Sequence, residues 1–278
     1  MVSREPTPVG DAEPVPPPRA LPVVLPSAGR APETRPPRPP PAPVAAERGV
    51  VLFDLDGTLL DDLGLISDVA ADVMHASFGT PPEEARIHYL ATTGMPFEAQ
   101  LAQLYPEAPA ALRSSASRTF HQRKVTEAYA KAEPFPEVPR LLKTLASERW
   151  NLAVTTGSET EMAELLLERE GLRFWFDDVL GSAEGTKREH LAEYRRRYGD
   201  VPMFLVGDSR FDLEAASASP GVVPLGRASR LPGWTLSPED LKAWGAAWAG
   251  LSLSELPSVL ERLARPKRTA SRGRSRRR

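Results

Sequence analysis

Residues 50–60 read VVLFDLDGTLL, an apolar run that stops at two carboxylates, Asp54 and Asp56, with Gly57 and Thr58 directly behind them. Two more acids, Asp208 and Asp212, follow a second apolar run, Met203 to Val206, with Gly207 and Ser209 beside Asp208. Thr156 and Gly157 follow a third run, Asn151 to Thr155, and Lys187 opens a helical pattern. A lysine in a first helical turn opposes the helix dipole, which points to an anion rather than to helix stability. Each feature has a plainer use. Asp-Gly is a common turn former and could close a hairpin; Thr156 could be an ordinary strand-end threonine, Lys187 a solvated charge and Asp208 a helix N-cap. Gathered in one cleft, however, Asp54, Asp56, Asp208 and Asp212 would cost several kcal/mol in charge repulsion unless protons or a cation intervene. Magnesium suits such a set, being a hard ion that accepts carboxylates, waters and phosphate oxygens.

The elements that must position these residues are legible as a βα alternation. Val50 to Phe53 fits a strand buried on both faces of a parallel sheet, so the two acids stand at its carboxyl end, where open α/β sheets bind ligands. Ile66, Val69 and Val73 repeat at helical spacing up to Gly79, and residues 81–131 contain helical stretches without a convincing strand, which suggests a helical insert. Val138, Leu141, Leu142 and Leu145 mark an amphipathic helix with Pro139 in its first turn. After the strand 151–155, the pattern continues with a helix through Met162, Leu165 and Leu166 ending near Gly171, a short strand at Val179 and Leu180, and a helix through Leu191, Tyr194 and Tyr198. Next come the strand 203–206, an edge strand Val222 to Leu225 whose Pro224 cannot donate to a central ladder, and a last amphipathic helix through Leu256, Val259, Leu260 and Leu263. Trp234, Trp244 and Trp248 are expected to cover the sheet edge. The scattered His75, His88, His121 and His190 read as structural or surface residues.

Of the 30 prolines in this 278-residue chain, 15 fall in the first 43 residues, so residues 1–48 are expected to be a disordered, partly polyproline-like arm. No cysteine is present, which excludes a thiol nucleophile, a thiolate metal site and a disulfide scaffold. No stretch has signal-peptide or membrane-spanning character, so a cytoplasmic protein without membrane association is expected. Charge is uneven. Residues 265–278 carry eight Lys or Arg and no acid, and taking those eight from the net charge of −2 leaves −10 on the rest. Such a basic, disordered tail could be simply solvated, or could attract nucleic acid or another anionic partner weakly.

The ordered set Asp54-Leu55-Asp56-Gly57-Thr58, Thr156, Lys187 and Gly207-Asp208-Ser209-Arg210-Phe211-Asp212 resembles the haloacid dehalogenase superfamily, in its phosphoglycolate phosphatase-like branch. The resemblance implies a Rossmann-like parallel sheet core over 49–61 and 136–264, with a helical cap inserted at 62–135. It also implies magnesium-dependent hydrolysis of a small phosphorylated metabolite through an aspartyl phosphate. Asp54 would be the nucleophile and Asp56 the general acid and base. Thr156, Gly157 and Lys187 would hold the phosphoryl group. Metal would be held by Asp54, Asp208, the backbone carbonyl of Asp56 and, through water or Lys187, Asp212. In the cap, Thr93, Gly94, Arg118, Arg123 and Lys124 are candidate substrate contacts. A phosphohexomutase uses the same residues, and a binding or scaffold protein acting through its two tails is the alternative from outside enzymology. A dehalogenase is disfavoured because that chemistry does not need Asp56 and the metal acids.

Overall fold

The computed structural model describes residues 48–265; the expected proline-rich arm and basic tail lie outside the described residues except for their boundary residues. Strand β1 (Val50–Phe53) has four fully buried side chains. Helices α1 (Leu63–Phe78), α2 (Pro82–Ala91), α3 (Phe97–Leu104) and α4 (Ala110–Arg123) come next, without a strand among them. Gly79 stops α1 in the left-handed conformation, with φ of 75°, as a glycine after a helix commonly does. The insert closes around its own aromatic cluster, in which the Tyr89, Phe97 and Phe120 rings stand 4.0–6.0 Å apart. A π-helical turn (Lys124–Ala128) and a 3₁₀ turn (Tyr129–Lys131) then return the chain to the sheet.

Alternation follows: α5 (Val138–Ser147), β2 (Asn151–Thr155), α6 (Thr160–Arg169), β3 (Asp178–Leu180), α7 (Lys187–Tyr198), β4 (Met203–Gly207), α8 (Arg210–Ser217) and β5 (Val222–Arg227). A two-stranded antiparallel hairpin, β6 (Ser229–Leu231) and β7 (Trp234–Leu236), leads into α9 (Pro238–Ala243), β8 (Trp248–Gly250) and α10 (Leu256–Ala264). The six sheet strands run parallel in the order β3-β2-β1-β4-β5-β8. From β1 the chain steps outward to β2 and β3, then crosses back to β4 on the other side of β1. The order thus reverses between β1 and β4, and a crevice at their carboxyl ends is the geometric consequence. Register fixes what reaches it: Phe53 lies opposite Val154 and Val206, so Asp54 emerges level with the ends of both neighbouring strands. No helix among the described residues is long and apolar enough to cross a membrane.

Two sequence expectations need correction. The strand at Val222 is not an edge, because β8 pairs beyond it through Leu225 to Arg227. Pro224 is tolerated because that pairing starts only after it, its carbonyl accepting from Ala247 at 2.9 Å. In α6 the buried stripe is Ala163, Leu166 and Leu167, while Leu165 is 59% exposed, one position out of phase with the expected face. Of the three tryptophans expected to cover the sheet edge, Trp248 lies in the edge strand and Trp234 packs from the hairpin, whereas Trp244 stays partly exposed.

Candidate active site

Asp54 follows β1, and its N–H donates to the Val206 carbonyl at 2.8 Å, anchoring the acid to β4. Its side chain is buried and accepts a hydrogen bond from Lys187 Nζ at 2.6 Å through Oδ1. The same ammonium donates to Asp212. Lys187 can reach across because Thr186 caps α7 in a reciprocal capping box with Glu189, which fixes the first turn against the sheet edge. Burial opposes the charge on Lys187, yet the Asp212 and Asp54 carboxylates outweigh it and hold the ammonium well above its ordinary range. Asp212 is itself pinned, because Oδ2 accepts from Ser209 N at 3.1 Å and from Ser209 Oγ at 2.5 Å. Both of its oxygens are therefore occupied within the protein.

Asp208 differs. It is buried, and among the described residues its Oδ2 has no hydrogen-bond partner. Burial and the nearby Asp54 and Asp212 charges push its carboxyl well above the usual carboxylate range. Gly57, at φ of 72°, makes room for it: a Cβ there would stand 2.4 Å from Asp208 Oδ2. One oxygen from each of Asp54, Asp208 and Asp212 lies within 4.8 Å of the others. Asp54 is pushed up to about 7, chiefly by burial, with Asp212 and Asp56 adding to the shift and Lys187 opposing it. Three hard oxygen donors crowded together in a buried position suit an oxygen-loving divalent cation, and an orphaned buried carboxylate oxygen is what such an ion would satisfy.

Asp56 lies outside that group of acids. Its carboxylate accepts from Lys124 Nζ at 2.6 Å, from Tyr129 Oη at 3.0 and 2.9 Å, and from Ser158 Oγ at 3.2 Å. Burial opposes its charge, but the Lys124 ion pair and these hydrogen bonds prevail and hold it below the usual carboxylate range. Beneath the turn, Asp62 accepts from Gly57 N at 2.9 Å. Burial and the Asp56 charge push the Asp62 carboxyl well above its usual range. On the β2 side, Thr156 is buried and its Oγ1 accepts from Ser158 N at 3.1 Å, while Gly157 leaves open space where a side chain would stand.

The structure thus gathers Asp54, Asp208, Asp212 and Lys187 around shared contacts, with Asp56 and Thr156 joined on the other side through Ser158. Among the expected insert contacts only some reach this region. Gly94, at φ of 92°, abuts the β4–α8 turn so closely that a Cβ would stand 2.5 Å from Ser209 Oγ. Lys124 reaches Asp56. Thr93 spends its hydroxyl on the Tyr89 carbonyl at 3.2 Å. Arg123 is turned away by its own neighbours, pairing with Glu127 at 2.7 Å and Asp72 at 3.0 Å. Arg118 lies on the exposed face of α4, opposite the buried Ala116, Ser117 and Phe120. Sequence reading missed Tyr129, Ser158 and Asp62. Asp62 could have been found in the acid-rich end of the first motif, and Ser158 by its position directly after Thr156-Gly157. No local pattern announced Tyr129.

The sequence profile of the haloacid dehalogenase-like hydrolases matches residues 51–221, which includes every one of these acids and Lys187. The chain belongs to this family. Among curated relatives, it is 27% identical to phosphoglycolate phosphatase from Vibrio cholerae over 60% of this chain and 79% of that one. It is 32% identical to phosphoglycolate phosphatase from Synechococcus elongatus over 60% of this chain and 77% of that one. Among solved structures, a hydrolase from Pseudomonas syringae shares the fold with a TM-score of 0.62 at 21% identity, covering 78% of this chain and 99% of that one. For a haloacid dehalogenase-like hydrolase, the crevice between β1 and β4 is also where the sheet order reverses.

Proposed function

We propose that the protein is a magnesium-dependent phosphatase that hydrolyses a small phosphate monoester through an aspartyl phosphate on Asp54. The observation that carries this reading is the pairing of Asp54 with a buried, unpartnered Asp208 oxygen on one side and the Lys187 ammonium on the other. Asp54 and Asp208 would hold magnesium, with the Asp56 backbone carbonyl contributing and Asp212 acting from behind through Lys187. Bound there, the ion would neutralise the crowded acids and balance charge on the phosphoryl oxygens.

In the first half-reaction an Asp54 oxygen bonds to phosphorus, the bond from phosphorus to the ester oxygen breaks, and the departing oxygen takes the proton of Asp56. In the second, Asp56 takes a proton from water as the water oxygen bonds to phosphorus and the bond to Asp54 breaks, which releases inorganic phosphate and restores both acids. Lys187, Thr156 and Gly157 hold the phosphoryl oxygens. The Lys124 contact favours the carboxylate that Asp56 becomes once it has given up its proton, the form from which the second half-reaction starts. The helical insert serves as a cap that excludes water, a role supported by the tight approach of Gly94 to Ser209.

The similarity to phosphoglycolate phosphatases puts phosphoglycolate first in a substrate panel, followed by other phosphorylated metabolites and an aryl phosphate. Phosphate release is expected with magnesium and is expected to stop on chelation. Release that survives Asp54→Asn would sink the mechanism.

A further inference from the structure

The turn that returns the chain from the insert is not α-helical. Lys124–Ala128 winds as a π-helix, with Tyr129 N–H donating to the Lys124 carbonyl. In an α-helix two residues five apart point about 140° away from one another. The wider π winding turns them toward the same side of the helix, and such turns recur at functional sites. Here the Lys124 ammonium lies 4.6 Å from the centre of the Tyr129 ring. Both side chains end on one carboxylate, that of Asp56. Ser158 completes the arrangement from the β2 side, 3.1 Å from Lys124 Nζ and 2.7 Å from Tyr129 Oη. Two donors from the insert's return and one from the sheet therefore hold both oxygens of Asp56.

We propose that Lys124 and Tyr129 are positioning residues that orient Asp56 for proton transfer, and that the π-helical turn exists to deliver them as a pair. The inference rests on the reading of Asp56 as the proton carrier. A carboxyl that must face the ester oxygen in one step and water in the next gains from a fixed orientation, since small misplacements of a reacting group are expensive. Without the two donors, Asp56 keeps its chemistry but loses its aim. The turn also places this control on the insert rather than on the sheet that carries Asp54, so the acid is aimed only when the insert's return is docked.

The two roles open to these residues, positioning and simple bracing of the insert, separate by leaving group. An alkyl phosphate needs its departing oxygen protonated, whereas dinitrophenyl phosphate does not. The readout is kcat/KM, which covers the steps up to release of the leaving group. Lys124→Met is expected to lower kcat/KM for an alkyl phosphate about 10²-fold, within the range of general acid catalysis, and for dinitrophenyl phosphate by only a few-fold. Tyr129→Phe, which removes one hydroxyl, should show the same pattern about tenfold, and Lys124→Arg should recover part of the alkyl phosphate activity. If the folded variants lose both activities by equal factors, the positioning role is overturned while the phosphatase reading stands. If wild-type protein with magnesium hydrolyses neither ester, both are overturned.

Discussion

Asp54 and Asp56 sit two positions apart on the same turn, yet the protein treats them in opposite ways. Asp54 is gripped by the sheet side of the molecule alone: Lys187 from α7, with Asp208 and Asp212 crowding it from the β4 end. Asp56 is gripped by the returning turn of the insert, through Lys124 and Tyr129. Burial raises the first acid and is overcome at the second. Two carboxyl groups whose surroundings drive them apart can divide labour, one poised to bond with phosphorus and the other to carry protons. The division also follows topology. The groups proposed to hold the phosphoryl group come from a strand end and from the first turn of α7, while control of the proposed proton carrier comes from a segment that a moving insert would carry with it.

The comparison breaks most plainly if the two acids are interchangeable. Asp54→Asn is expected to reduce phosphate release on the order of 10⁴-fold or more at saturating substrate, because an amide cannot form the acyl phosphate the proposed mechanism requires. Asp56→Asn is expected to cost about 10³-fold on an alkyl phosphate, with a smaller loss on dinitrophenyl phosphate. Equal losses for the two variants on both esters would erase the distinction. Gly94→Val strains a backbone at φ of 92° and pushes a side chain into Ser209, so the insert cannot seat on the β4–α8 turn. Steady-state kinetics should show kcat falling roughly tenfold, with the melting temperature lowered by the strain while the variant still folds.

The smallest effect concerns stability, and it has opposite signs at the two acids. Asp54 binds its proton up to about pH 7 in the folded protein but only to about 3.8 when unfolded. Between those values the native state holds a proton that the unfolded chain has lost, so raising pH destabilises the metal-free fold. Asp56 is shifted the other way: it contributes stability above its unfolded value, and that contribution disappears as pH falls through its lower folded value. Melting of chelated protein should therefore decline between pH 5 and pH 8, and Asp54→Asn should flatten the decline. Asp56→Asn should lower the melting temperature at pH 8 and less so near pH 3.

Much of this was legible in the sequence because the sheet side obeys local rules. Apolar runs ending in chemistry-bearing residues announce buried strands, and parallel strands bring their carboxyl ends together. Asp54, Thr156 and Asp208 were found that way, with Asp212 just behind Asp208, whereas Lys187 showed itself as a cation in a first helical turn. The insert obeys no such rule, since helical spacing tells which face is buried but not what that face meets. Hence Arg123 was expected near substrate when Glu127 and Asp72 hold it, and Tyr129 was passed over. Finding Tyr129 required knowing that the winding changes at Lys124, and nothing in KVTEAY signals a π turn. Strands β6, β7 and β8 escaped notice for a different reason: with three residues each they are too short for alternation to show, and unlike the equally short β3 they carry no adjacent pair of aliphatic residues such as Val179-Leu180.

The central claim is a covalent bond between Asp54 and phosphorus, and it can be caught directly. Magnesium-loaded protein mixed with excess phosphate monoester would be quenched in acid within its first turnovers and treated with borohydride, which reduces an acyl phosphate to an alcohol. Peptide mass spectrometry should then find homoserine at position 54, dependent on substrate and magnesium, with Asp56 unmodified. Steady phosphate release with no modification at position 54, or with the label on Asp56 instead, would contradict the account.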